Sequence, residues 1–213
     1  MLGNSKKIKK QTMNDNLLNQ ITPFIKLARF DRPVGFMLLF WPCMWSLLLY
    51  SLYTEQPVPI SFFVLFFIGS IIMRGAGCTW NDFLDKEYDK NVTRTKDRPL
   101  ASNKIKTINA LVFLLVQLLI GLLILVQFNK LTIIIGSLAL IPVFIYPLMK
   151  RITWWPQVFL GITFNWGALL GWLSLSNDFS SIYPIMLYLA CIFWTVGYDT
   201  IYAHQDKDDD FLL

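Results

Sequence analysis

The sequence predicts an all-α fold of the membrane kind, a polytopic helical bundle with about six transmembrane helices. Three observations carry that expectation. Of 213 residues, 55% are hydrophobic and only 15% charged, and the mean hydropathy is +0.49, whereas a soluble domain carries roughly 25% charge. Six segments run for about 17–25 positions without ionisable residues, enough at 1.5 Å per residue to cross a hydrocarbon core roughly 30 Å thick. If the connections between them alternate sides, Lys130 is the one basic residue of 19 in an opposite loop, a strong bias of the positive-inside kind.

The elements follow in order. Residues 1–19 read as a polar tail on a single domain spanning 1–213, and the SKKIKK run suits a cytosolic segment beside anionic lipid. No small-residue cleavage pattern accompanies the first apolar run, so no signal peptide is expected. Arg32 and Pro33 stand at the entry to a first span over 34–54, where Gly35 allows close helix contact. A second span covers 56–73, with Arg74 at its exit. A charged loop leads to spans over 107–129 and 131–149. Lys150 and Arg151 follow, then a fifth span over 152–177, whose GALLG at 167–171 offers small residues for packing. The sixth span, 179–198, opens into YDTIYAHQDKDDD. Cys43, Cys78 and Cys191 are isolated, with no CxxC pairing, which argues for packing and against a disulfide framework or a zinc site. The net charge of +5 sits at span ends, so it reads as membrane orientation and no nucleic-acid partner is expected.

Chemistry is expected on the basic side, because both acidic clusters emerge there. In WNDFLDKEYDKNVTRTKDRPLAS, residues 80–102, a helix continuing from the second span would put Asn81, Asp85 and Asp89 within about 80° of one face, with Asp82 beside them. Like charges at i,i+4 repel, and a divalent cation reverses that sign. Asp206 and Asp210 repeat the spacing, with Asp209 adjacent and Asp199 and Tyr202 one or two turns earlier. Oxygen-only ligands suit a hard cation, Mg²⁺ in particular when phosphate oxygens complete its shell. Arg94, Lys96 and Arg98 follow the first cluster and would supply phosphate donors.

NDFLDKEYD resembles the N-D-x-x-D-x-x-x-D motif of the UbiA superfamily of membrane prenyltransferases, and YDTIYAHQDKDDD resembles that family's second aspartate-rich motif. RPVGFMLLFWPCMWSL, RTKDRPLAS, YPLMKRITWWPQVFLG and NWGALLGW resemble further stretches, in order, of its ubiquinone-pathway branch. The resemblance covers the chain from residue 20 onward. It implies an all-helical enzyme that uses Mg²⁺ to transfer a polyprenyl group from polyprenyl diphosphate to the carbon ortho to the hydroxyl of 4-hydroxybenzoate. By motif position, Asn81, Asp82, Asp85, Asp89, Asp206 and Asp210 would hold the magnesium ions. Asp85, Asp89, Asp206 and Asp210 are the expected catalytic carboxylates, with Asp199, Tyr202 and Asp209 as supporting candidates. Arg94, Lys96 and Arg98 would bind diphosphate, and Arg151 the benzoate carboxylate. Trp41, Trp45, Trp80, Phe164 and Trp166 could offer π-faces to an allylic cation. The setting implied is a bacterial or mitochondrial inner membrane, both motifs on the cytoplasmic or matrix side.

The chain departs from the family pattern at two places. Asn103 stands where a glycine usually follows PLAS, which is expected to alter that turn. The chain also stops after the second motif, where relatives continue through about three more helices, so a truncated or split form, with a second polypeptide supplying the rest, is the alternative to an active enzyme. A cation transporter is a further alternative, opposed by the scarcity of ionisable residues within the spans.

Overall fold

The computed structural model describes residues 18–149, 152–176 and 178–204. Every regular element among them is helical. They are α1 (18–27), α2 (Val34–Thr54), α3 (Ile60–Leu84), α4 (Lys86–Asp89), α5 (Thr107–Leu125), α6 (Lys130–Leu138), α7 (Leu140–Met149), α8 (Pro156–Phe164), α9 (Gly167–Ser176) and α10 (Tyr183–Ala203). Among the described residues six helices are long and apolar enough to cross a membrane, once α6–α7 and α8–α9 are each counted as one broken helix. The bundle expected from the sequence is therefore present, as an integral membrane fold.

The largest correction falls on the second span. It begins at Ile60 and continues to Leu84, so Arg74 is not at its exit but in its C-terminal half, within the spanning helix. Asp85 then leaves helical geometry (φ −91°, ψ 4°) before the four-residue α4. The helical face expected to stack Asn81, Asp85 and Asp89 is irregular there.

Two spans are broken for identifiable reasons. Pro142, three residues into α7, cannot donate a hydrogen bond to the preceding turn, and the helix is interrupted at Ala139. Between α8 and α9 Asn165 (φ −96°, ψ 9°) breaks the chain. Its amide nitrogen lies within reach of Gly161 O (2.8 Å), Cys191 O (3.0 Å) and Thr195 Oγ1 (2.7 Å), so one buried side chain ties the end of α8 to α10. α8 and α10 both start with proline in the first turn, where its missing N–H costs nothing.

α9 packs most closely on α2. A Cβ added at Gly171 would stand 2.6 Å from Cys43 O and 2.7 Å from Ser46 Cβ, so only glycine lets the backbones approach, as the GALLG segment suggests. Trp172, 1% exposed, fills the space beyond, with the Tyr50 ring edge-on at 5.0 Å. Cys43, Cys78 and Cys191 are buried and free, as expected. On the basic side Leu27 of α1, Leu100 and Ile105 of the 90–106 connection and Ala110 of α5 form one buried cluster. That cluster seats the connection over the end of α3. Within it Asn103 has φ 55°, the left-handed region that asparagine tolerates better than other non-glycine residues.

Candidate active site

A cavity of about 530 Å³ opens between α2, α3, α7, α8 and α10. Its polar wall draws on remote parts of the chain: Arg29 and Arg32 before α2, Arg74, Asn81 and Asp82 of α3, Arg98 of the connection, and Tyr198, Asp199 and Tyr202 of α10. Its apolar wall includes Leu38, Val143, Leu160 and Phe164.

At the mouth Asp82 is 1% exposed and lies among cations. Its Oδ1 accepts from Arg29 Nη2 (2.9 Å) and Arg98 Nη1 (3.2 Å), and the same Arg98 nitrogen donates to Asp89 Oδ2 (2.8 Å). Arg29 occupies the left-handed region (φ 57°) at the end of α1, and its Nη1 donates to Lys26 O (2.8 Å). One guanidinium thus closes α1 and holds α3. The other gathers both ends of the first aspartate motif. Asp82 and Asp89 are seven residues apart, so they share one face of the α3–α4 segment, and the backbone bonds Asp85 N–Asn81 O (2.9 Å) and Asp89 N–Asp85 O (2.8 Å) carry helical spacing through Asp85.

Asn81 and Asp85 are half-buried, and Asn81 Nδ2 donates to Asp85 Oδ2 (3.2 Å), so the amide carbonyl and the carboxylate are neighbours. Asn81 and Asp199 line the same cavity; Asp85 is held next to it through Asn81. Arg94 and Lys96 are exposed and outside the cavity lining, and Tyr202 is exposed at its edge. Arg151, Asp206, Asp209 and Asp210 lie outside the described residues. On α4 the Glu87 carboxyl is held below its ordinary range by Lys90, whose ammonium contacts both oxygens at 2.7 and 2.8 Å. That exposed pair is solvated and apart from the cavity.

Three residues of the wall were not among the site residues expected from the sequence. Arg74 was counted only toward topology, yet it is a cation inside a span, which is a functional signal in a membrane protein. Its Cζ lies 5.0 Å from the centre of the Phe164 ring, and its buried Nε has no hydrogen-bond partner among the described residues. Phe164 therefore has a guanidinium on a ring face that was expected to serve an allylic cation. Tyr146 and Tyr198 also line the cavity. Trp41, Trp45, Trp80 and Trp166 do not: Trp45 packs on Trp194, Trp80 on Phe83 and Phe144, and Trp166 donates to Ile135 O.

The donor chemistry fits a hard cation. The carboxylates and amide at the mouth offer oxygen alone, and Asp82 Oδ2 is buried without a hydrogen-bond partner among the described residues. Among those residues no three Asp, Glu, His or Cys side chains are gathered closely enough to hold a metal by themselves, so ligands from elsewhere, phosphate oxygens included, are needed.

Comparison with known proteins gives the family of the chain. The profile of the UbiA prenyltransferase family matches residues 39–213. The chain belongs to the UbiA prenyltransferase family. Its members are generally dependent on a divalent metal. The chain is 49% identical to the mitochondrial 4-hydroxybenzoate polyprenyltransferase of Drosophila melanogaster, over 97% of the chain and 52% of that protein. It is 48% identical to the Arabidopsis thaliana protein of the same name, over 91% and 47% of the two chains, and 46% identical to the Homo sapiens one, over 93% and 53%. The chain spans about half the length of the curated relatives it matches. In fold it is similar to an apo UbiA homologue from Aeropyrum pernix K1 (TM-score 0.67, 23% identity, 80% of this chain and 64% of that one). It is also similar to a structure titled for digeranylgeranylglyceryl phosphate synthase (TM-score 0.68, 19% identity, 90% and 65%).

Proposed function

We propose that the chain transfers a polyprenyl group from polyprenyl diphosphate to the carbon ortho to the hydroxyl of 4-hydroxybenzoate, in ubiquinone biosynthesis. The observation that carries this reading is one cavity in which Asn81 and Asp82 from α3, Arg98 from the connection and Asp199 from α10 meet above an apolar wall. The relatives of that name, similar over nearly the whole chain, support the choice of substrates.

In this reading the diphosphate lies at the mouth and the prenyl chain runs down the apolar wall toward lipid. Arg98 and Arg29 face the leaving group, with Arg94 and Lys96 meeting it from the solvent side. Asp82 and Asp89 hold Arg98 in place and, with Asn81, Asp85, Asp206 and Asp210, are proposed to supply oxygens for the metal, while Asp199, Asp209 and Tyr202 stand beside them. A bound divalent cation, proposed as Mg²⁺, neutralises the charge that grows on the diphosphate as the allylic C–O bond breaks. The bond electrons leave with the diphosphate, the ring carbon forms the new C–C bond, and the ring proton passes to a carboxylate of the two motifs. The apolar wall keeps water from the allylic cation. Arg74 is the cation in the cavity best disposed toward the carboxylate of the acceptor, with Arg151 proposed for the same anion from the α7–α8 connection. Both motifs are proposed to face the cytoplasm or matrix.

Membranes containing the chain, given labelled polyprenyl diphosphate, 4-hydroxybenzoate and Mg²⁺, are expected to yield prenylated 4-hydroxybenzoate, and Asp85→Ala to abolish it. No product from the intact chain, with the protein folded and inserted, would overturn the proposal.

A further inference from the structure

Pro147 stands inside α7, in its last turn. A helical carbonyl points along the axis toward the N–H four residues on, and proline has none. The carbonyl oxygen of Val143 therefore lacks its helical donor. Val143 and Pro147 both line the cavity, so the gap in the α7 hydrogen-bond ladder opens on it. Pro42 of α2 makes the same omission at Leu38, but Pro42 is buried outside the cavity lining.

The neighbouring donors are engaged elsewhere. Thr163 Oγ1 of α8 donates to Phe159 O (2.8 Å) and lies 3.5 Å from Pro142 O, and Trp80 Nε1 donates to Phe144 O (3.2 Å). Side chains thus address the carbonyls before and after Val143. A carbonyl can only accept, and one set in a wall of Leu38, Leu160 and Phe164 is costly to leave unpaired. Of the two proposed substrates, an ionised diphosphate offers no donor. The aromatic acceptor offers one, its hydroxyl.

We infer that Val143 O accepts a hydrogen bond from the 4-hydroxyl of the aromatic acceptor, and that Pro147 sets a preference for phenols by withholding an N–H. This rests on the reading of the cavity as the acceptor site. Val143 touches the substrate through its main chain, and Pro147 is a positioning residue. The bond draws electron density into the ring at the ortho carbon and fixes which edge of the ring meets the prenyl group. A carbonyl is too weak a base to take the proton, so the hydroxyl is kept in the product.

The test is equilibrium binding to the purified 213-residue chain in lipid nanodiscs. The ligands are 4-hydroxybenzoate, 4-fluorobenzoate, which is close to it in size but cannot donate, and geranyl diphosphate with Mg²⁺ as a check on folding. The parent should bind the hydroxy acid about tenfold tighter than the fluoro acid, the scale of one buried acceptor left unpaired. Pro147→Ala supplies the missing N–H and should bring the two acids within about twofold of each other. If the parent binds neither acid, the reading of the cavity and the inference fall together. If it binds the hydroxy acid no tighter than the fluoro acid, or if Pro147→Ala keeps the preference, the inference alone falls. Should Pro147→Ala lose geranyl diphosphate or both acids, an ester at that carbonyl decides. Replacing Phe144 by its α-hydroxy analogue weakens Val143 O as an acceptor and keeps Pro147: a reduced preference then supports the bond, and an unchanged one overturns it.

Discussion

Replacing Arg98 by glutamine removes a side chain that bonds both Asp82 and Asp89. The side chains of these carboxylates are 1% and 9% exposed and that of Arg98 25% exposed, so the charges left behind are poorly solvated. Removing one partner of a fully buried pair costs about 3–5 kcal/mol. Partial exposure of the guanidinium, and the second bond from Arg29 to Asp82, reduce that to about 2–3 kcal/mol. For a chain of this size each kcal/mol shifts the melting temperature by roughly 2–4 °C, so Arg98→Gln should lower it by about 4–12 °C without diphosphate present. The assay is thermal unfolding of purified protein in nanodiscs, with exposed Lys96→Gln as the control, expected within about 1 °C of the parent. Adding Asp82→Asn to Arg98→Gln neutralises the stranded carboxylate and should recover a substantial part of the loss. An Arg98→Gln melt within about 1 °C of the parent would refute the claim that this arginine holds the first motif together.

The remaining predictions concern packing, backbone and metal. Gly171→Leu should prevent α2 and α9 from closing, since even a Cβ meets Cys43 O at 2.6 Å; the check is loss of the monodisperse peak on size exclusion in detergent. Asn165→Leu removes the amide that reaches Gly161, Cys191 and Thr195 and should cost about 1–3 kcal/mol, read as a lower melting temperature. Asn103→Gly should fold with unchanged or slightly higher stability, while Asn103→Val, β-branched at φ 55°, should lose about 1–3 kcal/mol in the same measurement. Stripping divalent cations with a chelator should abolish prenyl transfer, and Mg²⁺ should restore it.

The sequence made the architecture legible through length and polarity alone, because a bilayer imposes nearly the same requirement on every span. The first span, 34–54, and the fourth, 131–149, were located closely for that reason, while the last, expected over 179–198, lies at Tyr183–Ala203. The end of the second was not located: Arg74 looked like a terminus in a hydropathy reading, whereas the helix continues to Leu84 and the half-buried guanidinium lies over the Phe164 ring. Broken helices at Ala139 and Asn165 were also hidden, since apolar residues continue through both breaks. In the site, spacing identified Asn81, Asp82, Asp85 and Asp89 as a group, but periodicity within one segment could not foresee that Arg98, from the following connection, would bond both Asp82 and Asp89. Asparagine at 103 stood out in the sequence as a departure from pattern, and its left-handed backbone (φ 55°) is one that asparagine tolerates. Arg29 carried no pattern at all; its place at the site depends on α1 folding back over α3.

The central claim is that α3, the 90–106 connection and α10 build one diphosphate site. Mg²⁺-dependent binding of geranyl diphosphate to the 213-residue chain, compared among the parent, Asn81→Ala and Asp199→Ala, tests it most directly. Each substitution should weaken binding by about tenfold or more, because both side chains serve the same ligand. Parental affinity in Asp199→Ala, with Asn81→Ala impaired, would show that α10 stands apart from the site and would contradict the account.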